Sequence, residues 1–510
     1  MTQNNEGFNE DFNSPKDKTF DNNNNLTPED FINEMNKSFQ SFEPIKHNKI
    51  LAELIEQITQ IDFEALAFPD KEKLQENGQT DFKLKQKHFS IISIEQIIEI
   101  AKTNNWGICK HNEFVYLYNG AYWALFDSAE LQSFFGDASE KMGVNKFDAR
   151  HYIFRENLFK QFLAVANLPK PEIENDIVLI NLKNGTFEIS PQEQKLREPN
   201  RADFLTYQLP FEFNTTAKAP LFQHYLNTVQ PDPKRQMILA EYLGYLFIKP
   251  STLKLEKTLL LYGGGANGKS VFFEVVNALL GGNENVSNFS LQSLTNDNGY
   301  FRAMLANKLV NYASEISGKL ETNIFKQLVS GEPVEARLPY GKPFTIYNYA
   351  KLIFNCNELP KDVEQTTAFF RRFLIIPFEI TIPESEQDKE LSKKIITSEL
   401  SGVFNWVLEG LKRLLEQKKF THSEAVEKQL EDYRLQSDSV QLFLIDEGIE
   451  KSVTETTEFS ILFEQYKKYC TDCGYHFCSK KKFSERLNNA GFVSERKTSG
   501  VIVYAKKTLF

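Results

Sequence analysis

Cysteine is scarce in this chain. Its five residues, Cys109, Cys356, Cys470, Cys473 and Cys478, form no even framework across 510 positions, which excludes a disulfide-stapled secreted scaffold and reads as a reduced, intracellular protein. Long apolar runs are absent too, since none approaches the ~18 residues of a membrane-spanning helix. The N-terminus also lacks the charged-then-apolar order of a secretory signal. The expectation is a cytoplasmic protein with no membrane partner. Positive charge is not in excess either: the net charge is −10 and the pI about 5.5. A protein that coats nucleic acid with its whole surface would be basic, so any such contact is expected to be local. One stretch qualifies, because residues 479–510 carry Lys480, Lys481, Lys482, Arg486, Arg496, Lys497, Lys506 and Lys507 against only Glu485 and Glu495. A last absence concerns the N-terminal half, where no clustered acidic pair follows a strand, as a metal site for polymerising nucleotides would require.

What is present suffices for several cores. The chain is 41% apolar and 13% aromatic, and its length corresponds to about three domains. Residues 1–47 are rich in asparagine and are expected to be a disordered tail. Residues 48–88 hold a helical period in Ile50, Leu51, Leu54, Ile55, Ile58 and Ile61, a helical segment or linker whose partner the sequence does not name. Residues 89–250 read as an α+β region: a helix, the strands of ICKHNEFVYLYNGAYWAL, more helices, a hairpin at Asn184-Gly185 and two helices parted by the breaker at 231–233. Residues 251–380 alternate strands and helices, the pattern of a parallel sheet covered on both faces. A helical segment follows over 381–440. Residues 441–510 read as helix, helix and two strands, a winged-helix-like basic domain.

The densest chemistry lies in LKLEKTLLLYGGGANGKSVFFEVVNALL. An apolar strand runs into the loop Gly263, Gly264, Gly265, Ala266, Asn267, Gly268, Lys269, Ser270, and then directly into an amphipathic helix. Glycines allow backbone N–H groups to wrap phosphates, the lysine reaches the β and γ oxygens, and the serine hydroxyl suits Mg²⁺. The helix start adds its positive dipole end at the same spot. Strand, loop and helix fall in the order that the chemistry needs, so ATP and Mg²⁺ are the expected cofactors.

Three further strands carry candidates at their ends. In LANKLVNYASEIS the strand ends at Ser314-Glu315, and a Glu315 carboxylate there suits Mg²⁺ and water activation; the alternative is an ordinary surface glutamate. In AKLIFNCNELP the strand tip brings Asn357, suited to orienting water or sensing a γ-phosphate, although asparagine also ends many strands. In AFFRRFLIIPFE, Arg371 and Arg372 precede an apolar strand. They are either salt-bridge formers or a transition-state arginine supplied across a subunit interface. Between the second and third strands, FKQLVSGEPVEARLPYGKPFTI reads as a hairpin with Lys342 near its tip and Arg337 on its first strand. Such an element projects to grip a phosphate backbone, or simply ends in a solvated lysine.

Taken in order, GGGANGKS, NYASEIS, FKQLVSGEPVEARLPYGKPF, KLIFNCNELP and AFFRRFLIIPF resemble superfamily 3 helicases of the phage/plasmid primase-helicase family. The resemblance is strong over 177–378 and looser over the basic C-terminus. It implies a P-loop AAA+ core that assembles as a hexamer and translocates on single-stranded and forked DNA with ATP. By motif it assigns phosphate and Mg²⁺ binding to Gly263, Gly268, Lys269 and Ser270, the Walker B acid to Glu315, sensor 1 to Asn357 and the arginine finger to the Arg371-Arg372 pair. Lys342 and Arg337 fall in its DNA-contacting segment. One position departs from the pattern: Ser314 stands where the family often has a second acid. Many members also carry a primase domain, but the N-terminal half here offers no matching acids. The expectation is therefore a helicase that works with a separate primase or polymerase, with a bifunctional primase-helicase and an ATP-switched DNA-binding initiator as the alternatives.

One cluster stays apart from this reading. Cys470, Cys473, His476 and Cys478 supply four zinc-type ligands within nine residues, but structural zinc sites draw on two separated pairs and Cys470 lies on an apolar helix face. Packing cysteines are the expected reading.

Overall fold

The helical period at Ile50, Leu51 and Leu54 finds its partner inside the chain. Helix α1 (His47–Gln57) packs on α2 (Gln86–Thr103) and α3 (Ser128–Met142), and its three apolar residues share one core with Ile94, Ile97, Phe134 and Phe135. Helix α4 (Tyr152–Val165) adds Phe154, Leu158 and Phe162 to that core. The antiparallel strands β1 (Gly107–His111), β2 (Phe114–Tyr118) and β3 (Trp123–Leu125) lie beside it, with Val115 and Leu117 of β2 pointing in. The segment expected as a helical linker thus belongs to the first core. This computed structural model describes residues 44–71, 82–111, 114–166, 177–314, 316, 320–339, 341–360, 363–498 and 500–507. The asparagine-rich tail, except residues 44–47, falls outside them.

A second core starts at Val178. Strands β4 (Val178–Leu182), β5 (Gly185–Ile189) and β6 (Gln194–Arg197) form an antiparallel sheet whose first turn is the expected Asn184-Gly185 hairpin. Helices α5 (Pro220–Val229) and α6 (Pro233–Tyr245) each begin on a proline, and Asp232 caps α6 by accepting from the backbone N–H of Lys234. Proline suits the first helical position because its missing N–H would be unpaired there anyway.

A five-stranded parallel sheet follows. It consists of β7 (Thr258–Tyr262), β8 (Val286–Ser287), β9 (Val310–Ala313), β12 (Lys351–Cys356) and β13 (Phe373–Pro377), in the order β13-β7-β12-β9-β8. Its strands are apolar on both sides because both faces are covered. Leu259 and Leu261 meet Phe272, Val275 and Leu279 of α7 (Lys269–Leu279) on one face. Leu260, Phe354 and Ile375 meet Phe325 and Leu328 of α8 (Thr322–Ser330) and Tyr433 on the other. Between α8 and β12 stands the antiparallel hairpin of β10 (Val334–Arg337) and β11 (Pro343–Ile346).

The helical stretch after the sheet returns to it. Helix α9 (Leu400–Gln417) packs along α6, and Leu411 and Leu414 join the same apolar cluster as β4, β5, α5 and α7. Helix α10 (Glu424–Gln436) places Tyr433 against β13. Residues 178–248, the sheet and α9 therefore share one core. Buried Glu241 fastens α6 to α9 and the turn after it, accepting from Arg413 Nε at 2.6 Å, Gln417 Nε2 at 3.2 Å and the Thr421 N–H at 2.7 Å.

The C-terminal module combines α11 (Ser439–Asp446), β14 (Ile449–Lys451), β15 (Thr457–Glu458), α12 (Phe459–Asp472), α13 (Lys480–Asn489), β16 (Ser494–Lys497), β17 (Gly500–Val503) and β18 (Ala505–Lys507). Its sheets pair as β15-β17-β16 and β14-β18 around Phe443, Phe463, Tyr466 and Phe483. Among the described residues no helix is long and apolar enough to cross a membrane.

Candidate functional site

Because β7 is parallel to both neighbours, the loop that leaves it at Gly263 emerges at the same end of the sheet as the tips of β9 and β12. Backbone geometry explains the loop's glycines. Gly263 has φ +157°, and a Cβ there would lie 2.2 Å from the carbonyl oxygen of Phe378; at Gly268, with φ +85°, a Cβ would lie 2.6 Å from Val229 Cγ1. Gly264 and Gly265 differ, since a Cβ on either meets nothing within 4 Å. Two glycines are dictated by crowding from the protein, and two face open space on the side a ligand would occupy.

The rest of the loop is tied down. Asn267 is buried and donates Nδ2 to the Phe378 carbonyl at 3.1 Å, and the Ala266 carbonyl accepts from the Ile382 N–H at 2.8 Å. Tyr225 on α5 donates its hydroxyl to the Gly268 carbonyl at 2.8 Å. Lys269 is folded into the loop: its Nζ donates to the carbonyls of Gly263 at 2.6 Å and Gly264 at 2.8 Å, and to Asn267 Oδ1 at 3.1 Å. Burial lowers the pKa of this ammonium from the ordinary lysine value. Its three acceptors are neutral, so the charge is solvated by the loop and not cancelled. Ser270 is exposed on the first turn of α7. A buried cation, an exposed hydroxyl and a helix start around an open glycine arc suit a polyphosphate with its metal, held by Lys269, Ser270 and the backbone of 263–268.

Asn357 sits exposed just past the end of β12, on the loop's side of the sheet. Ser314 is exposed just past β9, while Glu315 lies outside the described residues. Asn355, in the same amide-rich strand end as Asn357, accepts at Oδ1 from the buried Tyr312 hydroxyl at 2.9 Å and so couples the tips of β12 and β9. Motif reading passed over Tyr225. Its position in a helix is like any core tyrosine, and only proximity to Gly268 gives it a role.

The arginines occupy the opposite end. Arg371 and Arg372 precede β13, whose Phe373 pairs with Thr258 at the start of β7. The five residues of β7, at about 3.3 Å each, put on the order of 16 Å between them and the loop of the same chain. Arg371 is exposed and pairs with Glu256 at 2.5 Å. Arg372 is buried, with NH2 on Ser330 Oγ at 3.0 Å, NH1 on the Ala368 carbonyl, and Glu256 at 3.8 Å. Burial works to raise the Glu256 carboxyl, but Arg371, Arg372 and Lys254 outweigh it and hold the pKa below the usual carboxylate value.

The remaining candidates are scattered. Lys342 is exposed at the tip of the β10–β11 hairpin, and Arg337 donates Nε across the tip to the Gly341 carbonyl at 2.9 Å; Tyr340 lies outside the described residues. Lys480, Lys481 and Lys482 are exposed on the first turn of α13. Cys470 is buried in the C-terminal core, Cys473 is exposed and Cys478 lies between these extremes, with its Sγ accepting from Tyr466 Oη at 3.5 Å. Among the described residues no group of three His, Cys, Asp or Glu side chains is placed to hold a metal.

Two family models match. One, a family of unknown function (DUF5906), covers residues 261–372, from the end of β7 to Arg372. The other, described as D5 N terminal like, covers 96–231, from α2 to the end of α5. No curated protein matches the chain. Among solved structures, the A form apo structure of the NrS-1 C terminal region is similar with a TM-score of 0.45 and 14% identity, covering 81% of this chain and 98% of that one. The A form apo structure of its residues 305–718 has a TM-score of 0.43 and 13% identity, covering 80% and 98%. A further apo structure of residues 305–718 has the same TM-score and identity, covering 84% and 100%.

Proposed function

We propose that this chain is an ATP-dependent replicative DNA helicase of the phage/plasmid primase-helicase kind, built on a P-loop AAA+ core and working as a hexameric ring on single-stranded and forked DNA. The observation that carries the proposal is the position of the two halves of the candidate site on one sheet: the loop with buried Lys269 at its carboxyl end, exposed Arg371 at its amino end. One chain cannot bring them together. A second copy, turned so that its amino end faces the first copy's loop, supplies the missing cation to the γ-phosphate region.

In this reading ATP with Mg²⁺ supplies the hydrolysis energy that drives movement. Backbone N–H groups of 263–268 and Lys269 bind the phosphates, Ser270 and Glu315 hold the metal, and Asn357 orients water. The hairpin bearing Lys342 and Arg337 grips the strand, and the exposed lysines of a winged-helix C-terminal module meet duplex. The match described as D5 N terminal like agrees with the resemblance stated from sequence, and the sheet order suits a P-loop ATPase.

The test is strand displacement on 3′- and 5′-tailed forks, run beside ATP turnover and a templated priming assay. Separation of the fork with ATP, lost in Lys269→Ala, supports a helicase. ATP turnover without separation supports the initiator, and oligonucleotide synthesis would make the chain a primase-helicase. Absence of both DNA-stimulated ATP turnover and unwinding would overturn the proposal.

A further inference from the structure

The buried arginine leads away from the nucleotide loop and toward the hairpin. Arg372 donates to Ser330, the last residue of α8, at 3.0 Å. The next residue, Gly331, has φ +63° and ends the helix, and β10 begins three residues later. Tyr349, between β11 and β12, closes the other side of the hairpin root by donating its hydroxyl to the carbonyls of Gln327 at 3.1 Å, within α8, and Glu332 at 2.8 Å. Both legs of the hairpin are therefore fastened to the C-terminal end of one helix, and that end is fastened to Arg372.

The same Arg372 nitrogen that bonds Ser330 also faces a carboxylate shared with its neighbour. Glu256 accepts from Arg371 at 2.5 Å, lies 3.8 Å from Arg372 and 3.4 Å from Lys254. Its backbone is held at φ +53°, a conformation a glutamate rarely adopts, so the backbone that carries this carboxylate is imposed by the fold. Arg371 is 54% exposed and free to turn outward, while Arg372 is 9% exposed and is not. When Arg371 leaves Glu256 for an anion outside the chain, the half-buried carboxylate loses its nearest cation. Lys254 already sits on the other oxygen, Oε1, at 3.4 Å, whereas Arg372 lies 3.8 Å from Oε2, the oxygen that Arg371 vacates, so Arg372 is the group drawn to it and its bond to Ser330 is the one at stake.

We infer that Arg372 is a positioning residue and not a second phosphate-contacting arginine: with Ser330 and Tyr349 it passes the state of the Glu256–Arg371 pair to the root of the Lys342 hairpin. The inference rests on the helicase reading above and names how its two sites communicate. A carboxylate shared by one exposed and one buried arginine is a two-position element, and the hairpin is tied to the buried member.

Ser330→Ala in the full chain tests it, with wild type alongside. The expected result is single-strand-stimulated ATP turnover within about twofold of wild type, but base pairs separated per ATP reduced at least fivefold. The ratio of single-strand affinities with ADP and with a non-hydrolysable ATP analogue should also collapse toward one. Unchanged coupling in Ser330→Ala would overturn the relay. So would a parallel fall in turnover and unwinding, which would place Ser330 and Arg372 in the service of the nucleotide itself. If Ser330→Ala fails to fold, Tyr349→Phe, which cuts the other tie at the hairpin root, must show the same uncoupling, and normal coupling there overturns the relay. Wild-type protein that neither turns over ATP nor separates forks instead removes the helicase reading on which the relay stands.

Discussion

The hydroxyl of Tyr225, on α5, donates to the carbonyl of Gly268 at 2.8 Å, and the same residue's ring would stand 3.1 Å from a Cβ on Gly268, next to the nearer Val229 Cγ1 at 2.6 Å. The glycine-rich loop is thus braced by an element some forty residues upstream in the chain. Tyr225→Phe removes one hydrogen bond, about 1 kcal/mol, and leaves the packing. Nucleotide affinity is expected to fall about threefold to tenfold with little change in fold, read by titration with a fluorescent ADP analogue. No change would mean the brace is dispensable.

The loop glycines should divide into two classes. Gly263→Ala forces a methyl to within 2.2 Å of the Phe378 carbonyl and should lower thermal stability as well as abolish ATP turnover. Gly265→Ala meets nothing within 4 Å, so the melting temperature should hold while nucleotide affinity drops. Equal melting temperatures for both variants would contradict the crowding at Gly263.

Complementation addresses the opposite placement of Lys269 and Arg371. Mixing Lys269→Ala and Arg371→Ala subunits, each inactive alone, is expected to restore part of the ATP turnover, because a mixed interface can hold one intact lysine and one intact arginine. Titrating one variant into the other at fixed total protein measures it, and a flat response would count against a shared site.

Glu241 provides a test of the join between α6 and α9. It is fully buried and bound by Arg413, Gln417 and Thr421. Glu241→Ala leaves the half-buried guanidinium of Arg413 without its carboxylate, which costs roughly 3–5 kcal/mol in stability. Chemical denaturation should show the midpoint falling without loss of the C-terminal module's own structure.

A pH effect follows from Lys351. Burial pushes its ammonium down to about 7, and it is met by the Ile248 carbonyl and the face of the Tyr245 ring, 4.4 Å away. The folded chain releases this proton near pH 7 and the unfolded chain keeps it to the ordinary lysine value, 10.5. The unfolded state therefore binds more protons across that window, and stability rises with pH through it, by at most about 1.4 kcal/mol per unit. The Tyr245 ring favours the cation and makes the rise smaller. Denaturation midpoints between pH 7 and 9 should climb in wild type and stay flatter in Lys351→Met.

Much of this site was legible in the chain because its chemistry is local. The glycine spacing from Gly263 to Ser270, the apolar strands at 258–262, 310–313, 351–356 and 373–377, and the hairpin carrying Lys342 depend on backbone rules acting over a few residues. Strand β8 was not legible, being two residues long and without alternation. Long-range partners were not legible either: Ile50, Leu51 and Leu54 announce a helix but not what it packs on, and residues 178–248 share a core with α7 and α9 that no local pattern advertises.

The sequence by itself determined that a glycine-rich loop opens a helix, that apolar strands alternate with helices behind it, and that positive charge gathers in residues 479–507. Each is a matter of residue type and short spacing, where backbone geometry leaves few choices. Only the tertiary structure decided that Tyr225 and Phe378 shape that loop, that Arg371 is exposed while adjacent Arg372 is buried on Ser330, and that both lie at the end of the sheet away from Lys269. Those outcomes depend on which strands pair and which faces meet across long separations in the chain, and identical neighbouring residues acquire different surroundings there.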